Sequence, residues 1–217
     1  MLEAVIFDVD GTLLDTERIY MRAWKEAGRA AGYEITDEVL QQTRGVSIQA
    51  EIPIFQRACG TDFPFDAIHS ERSRLAEEWI PNEPNLQKPG ALDVLTYLRE
   101  RYVPMAVASA TGLEKTKAHL DCAGLLPFFS AVVGGDMVTR KKPDPDPYLL
   151  AASLLGVDPA NCLVVEDSAP GVLSGHAAGM RVVLIPDLAP PNAKTAALAT
   201  AVLQCLNQLP PLLEALL

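Results

Sequence analysis

The sequence predicts an α/β fold in which a parallel β-sheet carries helices on both faces and an inserted helical domain. Three observations support this prediction: an apolar run near the N-terminus that ends in two aspartates, a block of helix-like patterns after it, and alternating helix-like and strand-like segments from residue 91 onward. We therefore expect a sheet core formed by residues 1–15 and 86–217, with a helical domain at residues 16–85.

The first predicted strand is the run Val5-Ile6-Phe7-Asp8-Val9-Asp10-Gly11-Thr12. Val, Ile and Phe suit a strand enclosed on both faces, as in a parallel sheet, and Gly11 permits a tight backbone where the strand ends. Ligand sites in open α/β sheets lie just beyond the carboxyl ends of the strands. Two carboxylates held together there cost free energy unless a cation or a shared proton relieves them. The pair therefore indicates metal or acid/base chemistry.

The next segment is a block of helical patterns. Apolar residues spaced at three and four predict an amphipathic helix from Ile19 to Ala27 that extends toward Gly32. Further helix-like patterns cover residues 36–43, 50–58 and 67–79, with no strand of comparable length among them. The prolines of residues 81–84 and 89 mark the end of the block, because proline resists helix continuation.

Alternation then predicts the rest of the sheet and its covering helices. The predicted helices are residues 91–100, 113–123, 147–155 and 171–178, and the predicted strands are residues 103–109, 131–134, 162–166 and 182–185. Residues 209–213 indicate a last helix docked on the core.

Composition narrows the classes of function. Hydrophobic residues make up 49% and charged residues 21% of the 217 residues, which argues against disorder. The 18 basic and 28 acidic residues give a net charge of -10, which argues against nucleic acid or an anionic membrane as the main partner. An anionic substrate would therefore need local donors and a metal.

The cysteines and the N-terminus bear on location. Cys59, Cys122, Cys162 and Cys205 form no C-x-x-C pair, so we expect free thiols rather than a zinc site or a redox dithiol. The chain reaches Asp8 without room for a signal peptide, and no apolar run approaches the roughly 18 residues that span a bilayer. We expect a cytoplasmic protein that is a monomer or a weak oligomer.

Polar residues follow four separate predicted strands. They are Asp8 with Asp10, Ser109 with Thr111, Lys142, and Glu166 with Asp167. A carboxylate such as that of Asp8 can attack phosphorus and form an aspartyl phosphate. A second carboxylate, Asp10, can protonate the leaving oxygen and later deprotonate water. Lys142 and the Ser109 hydroxyl can stabilise the charge on a transferring phosphoryl group.

These motifs resemble those of the haloacid dehalogenase superfamily: a D-x-D-G-T strand end, a Ser or Thr, a Lys and an acidic pair, in that order. The sequences Lys-Pro-Asp-Pro-Asp at 142–146 and Glu-Asp-Ser-Ala-Pro-Gly at 166–171 resemble the sugar-phosphate phosphatase and β-phosphoglucomutase group. The resemblance implies a Rossmann-like core, a helical cap at residues 16–85, and a small phosphorylated metabolite as substrate.

The resemblance also implies site residues. Asp8 and Asp10 would be catalytic, and Mg²⁺, which prefers hard oxygen ligands, would be held by Asp8, the backbone carbonyl of Asp10 and Asp167, with Glu166 nearby. It further implies that phosphate is bound by Ser109, Ala110 and Lys142, and that the cap side of the substrate is contacted by Thr16, Arg44, Gly45 and Ser47.

Two departures from the mutase pattern favour a phosphatase over a sugar phosphomutase. Ile48 stands where the mutase has an Arg after Gly-Val-Ser, and Tyr20 stands where it has a His. A neutral Ile cannot replace a bidentate clamp on the second phosphate of a bisphosphate intermediate. The mutase and, from another class, a catalytically idle binding module are the alternatives. Dehalogenation would not need Asp10 as an acid, and no motif identifies the cap lysine that phosphonate cleavage needs.

Overall fold

The computed structural model describes residues 1–43, 48–188 and 190–216, and its centre is a six-stranded parallel sheet in the order β3-β2-β1-β4-β5-β6. The strands are β1 (Ala4–Phe7), β2 (Met105–Ala108), β3 (Ala131–Val133), β4 (Cys162–Glu166), β5 (Arg181–Leu184) and β6 (Ala201–Val202). The predicted α/β fold with a parallel sheet is confirmed.

Helices occupy the connections between the strands and the segment after β1. They are α1 (Thr16–Ala30), α2 (Asp37–Thr43), α3 (Ile48–Cys59), α4 (Phe65–Trp79), α5 (Ala91–Glu100), α6 (Leu113–Cys122), α7 (Asp146–Leu155), α8 (Ala169–Ala177), α9 (Ala193–Leu198) and α10 (Leu209–Glu214). The sequence patterns did not predict α9 or the two-residue β6, because both are short and rich in alanine. None of the helices in the described ranges is long and apolar enough to cross a membrane.

The chain divides into two compact units. One consists of Met1–Asp15 and Asn85–Leu217 and contains the sheet, and the other, Thr16–Pro84, is helical. Within the first unit, residues on either side of the inserted segment pair with each other: the Asp15 amide donates to the Leu86 carbonyl at 2.8 Å, and the Lys88 amide donates to the Leu13 carbonyl at 2.8 Å.

The core of the sheet unit is centred on β1, which lies between β2 and β4. Alternate residues of a strand point to opposite faces, and Ile6 and Val164 pack on the same face as residues of α7 and α8. The neighbouring residues Val5 and Phe7 are equally inaccessible to solvent. Strands buried on both faces explain why the sequence runs are continuously apolar rather than alternating.

Aromatic rings form the core of the helical unit. The Trp24 ring lies 4.5 Å from that of Phe55, and Phe55 stacks on Phe63 with centroids 5.1 Å apart. Phe55 and the neighbouring Phe65 are buried, so this unit has a hydrophobic core of its own.

We predict that Leu163→Ala, in the centre of β4, lowers the free energy of unfolding by about 2–5 kcal/mol, because Leu163 is fully buried and the truncation leaves a cavity. Leu154→Ala on α7 is the matched control, since Leu154 is 52% exposed and its loss should change stability by no more than about 0.5 kcal/mol. Urea denaturation of both variants measures the difference. Equal losses would contradict the burial assigned to β4.

Candidate active site

The candidate site begins where β1 and β4 end side by side. Phe7 is in register with Val165, and the Asp8 amide donates to the Val165 carbonyl at 2.9 Å. The next residues of the two strands, Asp8 and Glu166, therefore lie at the same edge of the sheet. Asp8 is 7% exposed and Glu166 is fully buried, so two carboxylates meet in a place with little water.

Lys142 separates these two carboxylates. Its Nζ donates to Asp8 Oδ1 at 2.6 Å and to Glu166 Oε1 at 2.6 Å, and its side chain is only 7% exposed. Burial by itself lowers the pKa of Lys142, but the charges of Asp8 and Glu166 outweigh it and hold that pKa well above its usual range. Lys142 is therefore a charged ammonium that links two strand ends.

The Glu166 carboxylate accepts five hydrogen bonds. Oε1 accepts from Lys142 and from the Tyr148 hydroxyl at 2.8 Å. Oε2 accepts from the amides of Asp167 and Ser168, both at 3.0 Å, and from the Ser168 hydroxyl at 2.9 Å. Burial raises the pKa of Glu166. The charge of Lys142 and these hydrogen bonds together lower it by more, so the pKa of Glu166 lies below its usual range. Glu166 is therefore a buried anion whose charge is stabilised by hydrogen bonds from protein groups.

Asp8 is in a different electrostatic position. Burial raises the pKa of Asp8 to about 8, against the lowering effect of Lys142, and the charges of Glu166 and Asp10 add to the rise. A further positive charge beside Asp8 would oppose this rise and favour the ionised carboxylate.

The carboxylates at this edge can hold a metal ion. Asp8, Glu166 and Asp167 each offer an oxygen, and these oxygens lie within 4.8 Å of one another. The Thr12 hydroxyl donates to Asp167 Oδ1 at 3.3 Å, and a Cβ at Gly11 would lie only 2.4 Å from Asp167 Oδ2. Carboxylate oxygens are hard ligands that suit a divalent cation, so this group of residues includes donors that could hold one.

Asp10 belongs to a second cluster, beside the end of β2. Its Oδ2 accepts from the Thr111 hydroxyl at 2.9 Å and from the Ser109 hydroxyl at 3.3 Å. The Thr111 amide in turn donates to Ser109 Oγ at 2.9 Å, which orients that hydroxyl. The side chains that precede α6 thus contact the second aspartate of the D-x-D motif.

The remaining predicted residues have no contact with these carboxylates that the structure describes. Ala110 is exposed and follows Ser109, and Thr16 is buried at the start of α1 in the helical unit. Arg44, Gly45 and Ser47 lie outside the described residues. Ile48 begins α3 and is 49% exposed. The Tyr20 ring lies under the Arg72 guanidinium, which is 4.0 Å from the ring centroid.

Sequence reasoning missed two residues of this site, Tyr148 and Ser168. Ser168 caps the N-terminus of α8, where its hydroxyl accepts from the Gly171 amide at 3.2 Å, and a Ser shortly before a Pro is a recognisable helix start. Tyr148 offers no such signal, because an aromatic residue on an apolar helix normally indicates only a core position.

The family of the chain follows from comparison with known proteins. Residues 2–179 match the family model described as a haloacid dehalogenase-like hydrolase. The chain belongs to this family. The predicted hydrolase superfamily is therefore confirmed.

Individual relatives agree with this assignment. The chain is 31% identical to "Phosphorylated carbohydrates phosphatase" of Thermotoga maritima over 183 residues, 82% of either protein. It is 35% identical to "Hexitol phosphatase A" of Escherichia coli over 181 residues, 83% of this chain and 81% of the relative. The structure of a Thermotoga maritima protein provisionally named a beta-phosphoglucomutase superposes with a TM-score of 0.83 at 26% identity, covering 100% of both chains.

We predict that Gly171→Ala destabilises this hydrolase by about 1–3 kcal/mol through overpacking. Helix propensity alone would predict the opposite sign, since replacing a helical Gly by Ala usually stabilises. A Cβ at Gly171 would lie 1.6 Å from Glu166 Oε1, so the enclosed carboxylate must shift.

Thermal and urea unfolding measure the sign of this change. Leu173→Ala on the same helix is the control, because Leu173 is 42% exposed and should tolerate truncation. A stabilised Gly171→Ala variant would mean that the backbone does not enclose Glu166 as closely as described.

Proposed function

We propose that this hydrolase is a Mg²⁺-dependent phosphatase of a small phosphorylated metabolite, most fittingly a sugar phosphate, acting through an aspartyl phosphate. The observation that carries the proposal is the Lys142 ammonium held between Asp8 and Glu166 at the edge of the sheet. The names of two relatives, a phosphatase of phosphorylated carbohydrates and a hexitol phosphatase, support a phosphorylated carbohydrate or hexitol as the class of substrate.

Asp8 is the proposed nucleophile. One carboxylate oxygen attacks phosphorus, and a P–O bond to Asp8 forms while the P–O bond to the leaving group breaks. In the second half-reaction a water oxygen attacks phosphorus, and the bond to Asp8 breaks. Inorganic phosphate leaves and the Asp8 carboxylate is regenerated.

Asp10 is the proposed acid and base. It gives a proton to the leaving oxygen in the first step and takes one from the attacking water in the second, so its protonation state returns to the start after each turnover. The hydroxyls of Ser109 and Thr111 at its Oδ2 support this role by fixing the carboxylate.

Phosphate binding is assigned to Lys142, Ser109 and the backbone beside Ala110, which supply a cation and donors for the phosphoryl oxygens. Asp8, the backbone carbonyl of Asp10 and Asp167 would hold Mg²⁺. Bound Mg²⁺ shields the phosphoryl charge from the anionic nucleophile. Glu166 already accepts from five donor atoms, which favours a role in holding Lys142 over direct ligation.

Several finer assignments stay predictions. They concern the helical unit as a substrate-selecting cap, Thr16, Arg44, Gly45 and Ser47 as its substrate residues, a monomeric or weakly oligomeric state, and a cytoplasmic location.

The mutase alternative depends on the helical unit as well. Ile48 supplies no charge there, but Arg72 places a guanidinium over Tyr20, so the helical unit does carry a cation beside the residue that replaces the mutase His.

We predict that wild-type protein with Mg²⁺ converts a hexose phosphate to inorganic phosphate in stoichiometric amounts, without interconverting the 1- and 6-phosphates. Phosphorus NMR of one incubation, with a sugar bisphosphate primer added, follows both products. A parallel chelated sample should release no phosphate until Mg²⁺ is restored.

Two other outcomes of this experiment, and one outcome of a wider screen of substrates, are informative. A new sugar-phosphate resonance that grows faster than inorganic phosphate would establish the mutase. Full activity after exhaustive chelation would reject the metal. No turnover of hexose phosphates, hexitol phosphates, phosphoglycolate, nucleotides or an aryl phosphate would favour the idle module.

We predict that Asp8→Asn removes turnover, because an amide cannot attack phosphorus as a carboxylate does. Asp10→Asn should lower kcat by about 10²- to 10⁴-fold, the usual contribution of a placed acid/base, while leaving Mg²⁺-dependent thermal stabilisation in place. Steady-state kinetics and thermal unfolding with and without Mg²⁺ check both variants. An Asp8→Asn preparation that is free of deamidation and retains more than a few per cent of activity would disprove the aspartyl-phosphate mechanism.

A further inference from the structure

Tyr148 contacts both members of the buried ion pair at the end of β4. It lies in the first turn of α7 and is fully buried. Its hydroxyl donates to Glu166 Oε1 at 2.8 Å, and its ring centroid lies 4.7 Å from Lys142 Nζ. One side chain thus offers a hydrogen bond to the anion and a π face to the cation.

The surroundings of Tyr148 fix this arrangement. The ring packs in the core cluster that α7 forms against the sheet, with Ala108 and Val164 among its members. A phenol is protonated at neutral pH, so the Tyr148 hydroxyl acts as a donor to Glu166 Oε1. Because the side chain is inaccessible to solvent, bulk water does not compete for this hydrogen bond.

The two oxygens of Glu166 are held in unequal ways. Oε2 accepts from two backbone amides and one hydroxyl of the residues that precede α8, so it is held by that turn. Oε1 is shared between Lys142 and Tyr148. A second donor on Oε1 weakens the pull of that oxygen on the ammonium, which also contacts Asp8 Oδ1. Tyr148 therefore influences how Lys142 is divided between the two carboxylates.

We propose that Tyr148 is a positioning residue, whose hydroxyl shares Glu166 Oε1 with Lys142 and so keeps the Lys142 ammonium in place against Asp8. The expected effect of Tyr148 on turnover rests on the proposed phosphatase function. The expected effect of Tyr148 on the position of the Lys142 ammonium does not. The residue acts through Lys142 and Glu166 and touches no reacting atom.

Tyr148→Phe removes the hydroxyl and keeps the ring and its packing. We expect kcat to fall about tenfold or more, the usual scale for a lost hydrogen bond to a charged group, with KM within twofold of wild type. Tyr148→Leu removes the aromatic ring as well, so we expect its kcat to be lower than that of Tyr148→Phe. Thermal unfolding confirms that each variant is folded under the assay conditions.

Tyr97→Phe is the matched control. Tyr97 belongs to the same unit, and its hydroxyl oxygen is buried without a hydrogen-bond partner among the described residues. Deleting that hydroxyl should leave kcat and KM unchanged within about twofold. A loss of kcat in Tyr97→Phe equal to that in Tyr148→Phe would overturn the proposal.

A double-mutant cycle separates positioning from general structural damage. If Tyr148 acts through Glu166, Tyr148→Phe should change kcat little in a Glu166→Gln background, so the two effects are not additive. Effects that multiply in full would mean that Tyr148 acts independently of Glu166, and would reject the inference.

The Lys142 ammonium provides a readout that needs no turnover. In a ¹H–¹⁵N spectrum of the lysine ammonium groups, the Lys142 signal is identified by its loss in Lys142→Met. We expect this signal to shift or exchange faster in Tyr148→Phe and to stay unchanged in Tyr97→Phe. If wild-type protein releases no phosphate but the signal responds in this way, the proposed function fails and the positioning role stands. An unchanged signal in Tyr148→Phe overturns the role itself.

Discussion

The interaction on which the site depends is the ammonium of Lys142 between the carboxylates of Asp8 and Glu166. Parallel strands bring their carboxyl ends to one edge, and here that places two acids together in a region with little water. Desolvating these charges is costly, and a buried pair persists only with good geometry and further hydrogen bonds. The ion pair between Arg74 and Glu71 on α4 is exposed, so it needs no further hydrogen bonds and water screens its charges. The surroundings of Lys142 are therefore built to satisfy Glu166.

The backbone around the site also stabilises the charge of Glu166. At the start of α8 the chain turns so that the amides of Asp167 and Ser168 and the Ser168 hydroxyl converge on Glu166 Oε2. Gly171 has no side chain because a Cβ would occupy the space of this carboxylate. Gly11, with a φ of 92°, occupies the left-handed region that favours glycine and leaves room for Asp167. Two glycines therefore allow three acids to approach one another.

The features of this molecule that the sequence predicts are those that leave a pattern in neighbouring residues of the chain. The strands of the sheet were predictable because burial on both faces leaves continuous apolar runs, and the order of polar strand ends indicated that Asp8, Lys142 and Glu166 would converge. The hydrogen bond from Tyr148 to Glu166 was not predictable, because nothing local separates a tyrosine with a buried partner from one that only fills space. The segment that forms α9 and β6 has too few residues for a periodic pattern to appear.

The different partners of Asp8 and Asp10 account for their different proposed roles. A nucleophile must be anionic when phosphate arrives, and Lys142 lowers the pKa of Asp8 although burial still raises it to about 8, so that a bound divalent cation would complete the ionisation. Asp10 differs from Asp8 in its contacts, because its Oδ2 accepts from the Ser109 and Thr111 hydroxyls, which hold the carboxylate beside the end of β2. Asp8 instead accepts from the Lys142 ammonium at the end of β1. Two aspartates separated by one residue are thus oriented by different strand ends, and this difference supports the separate roles proposed for them.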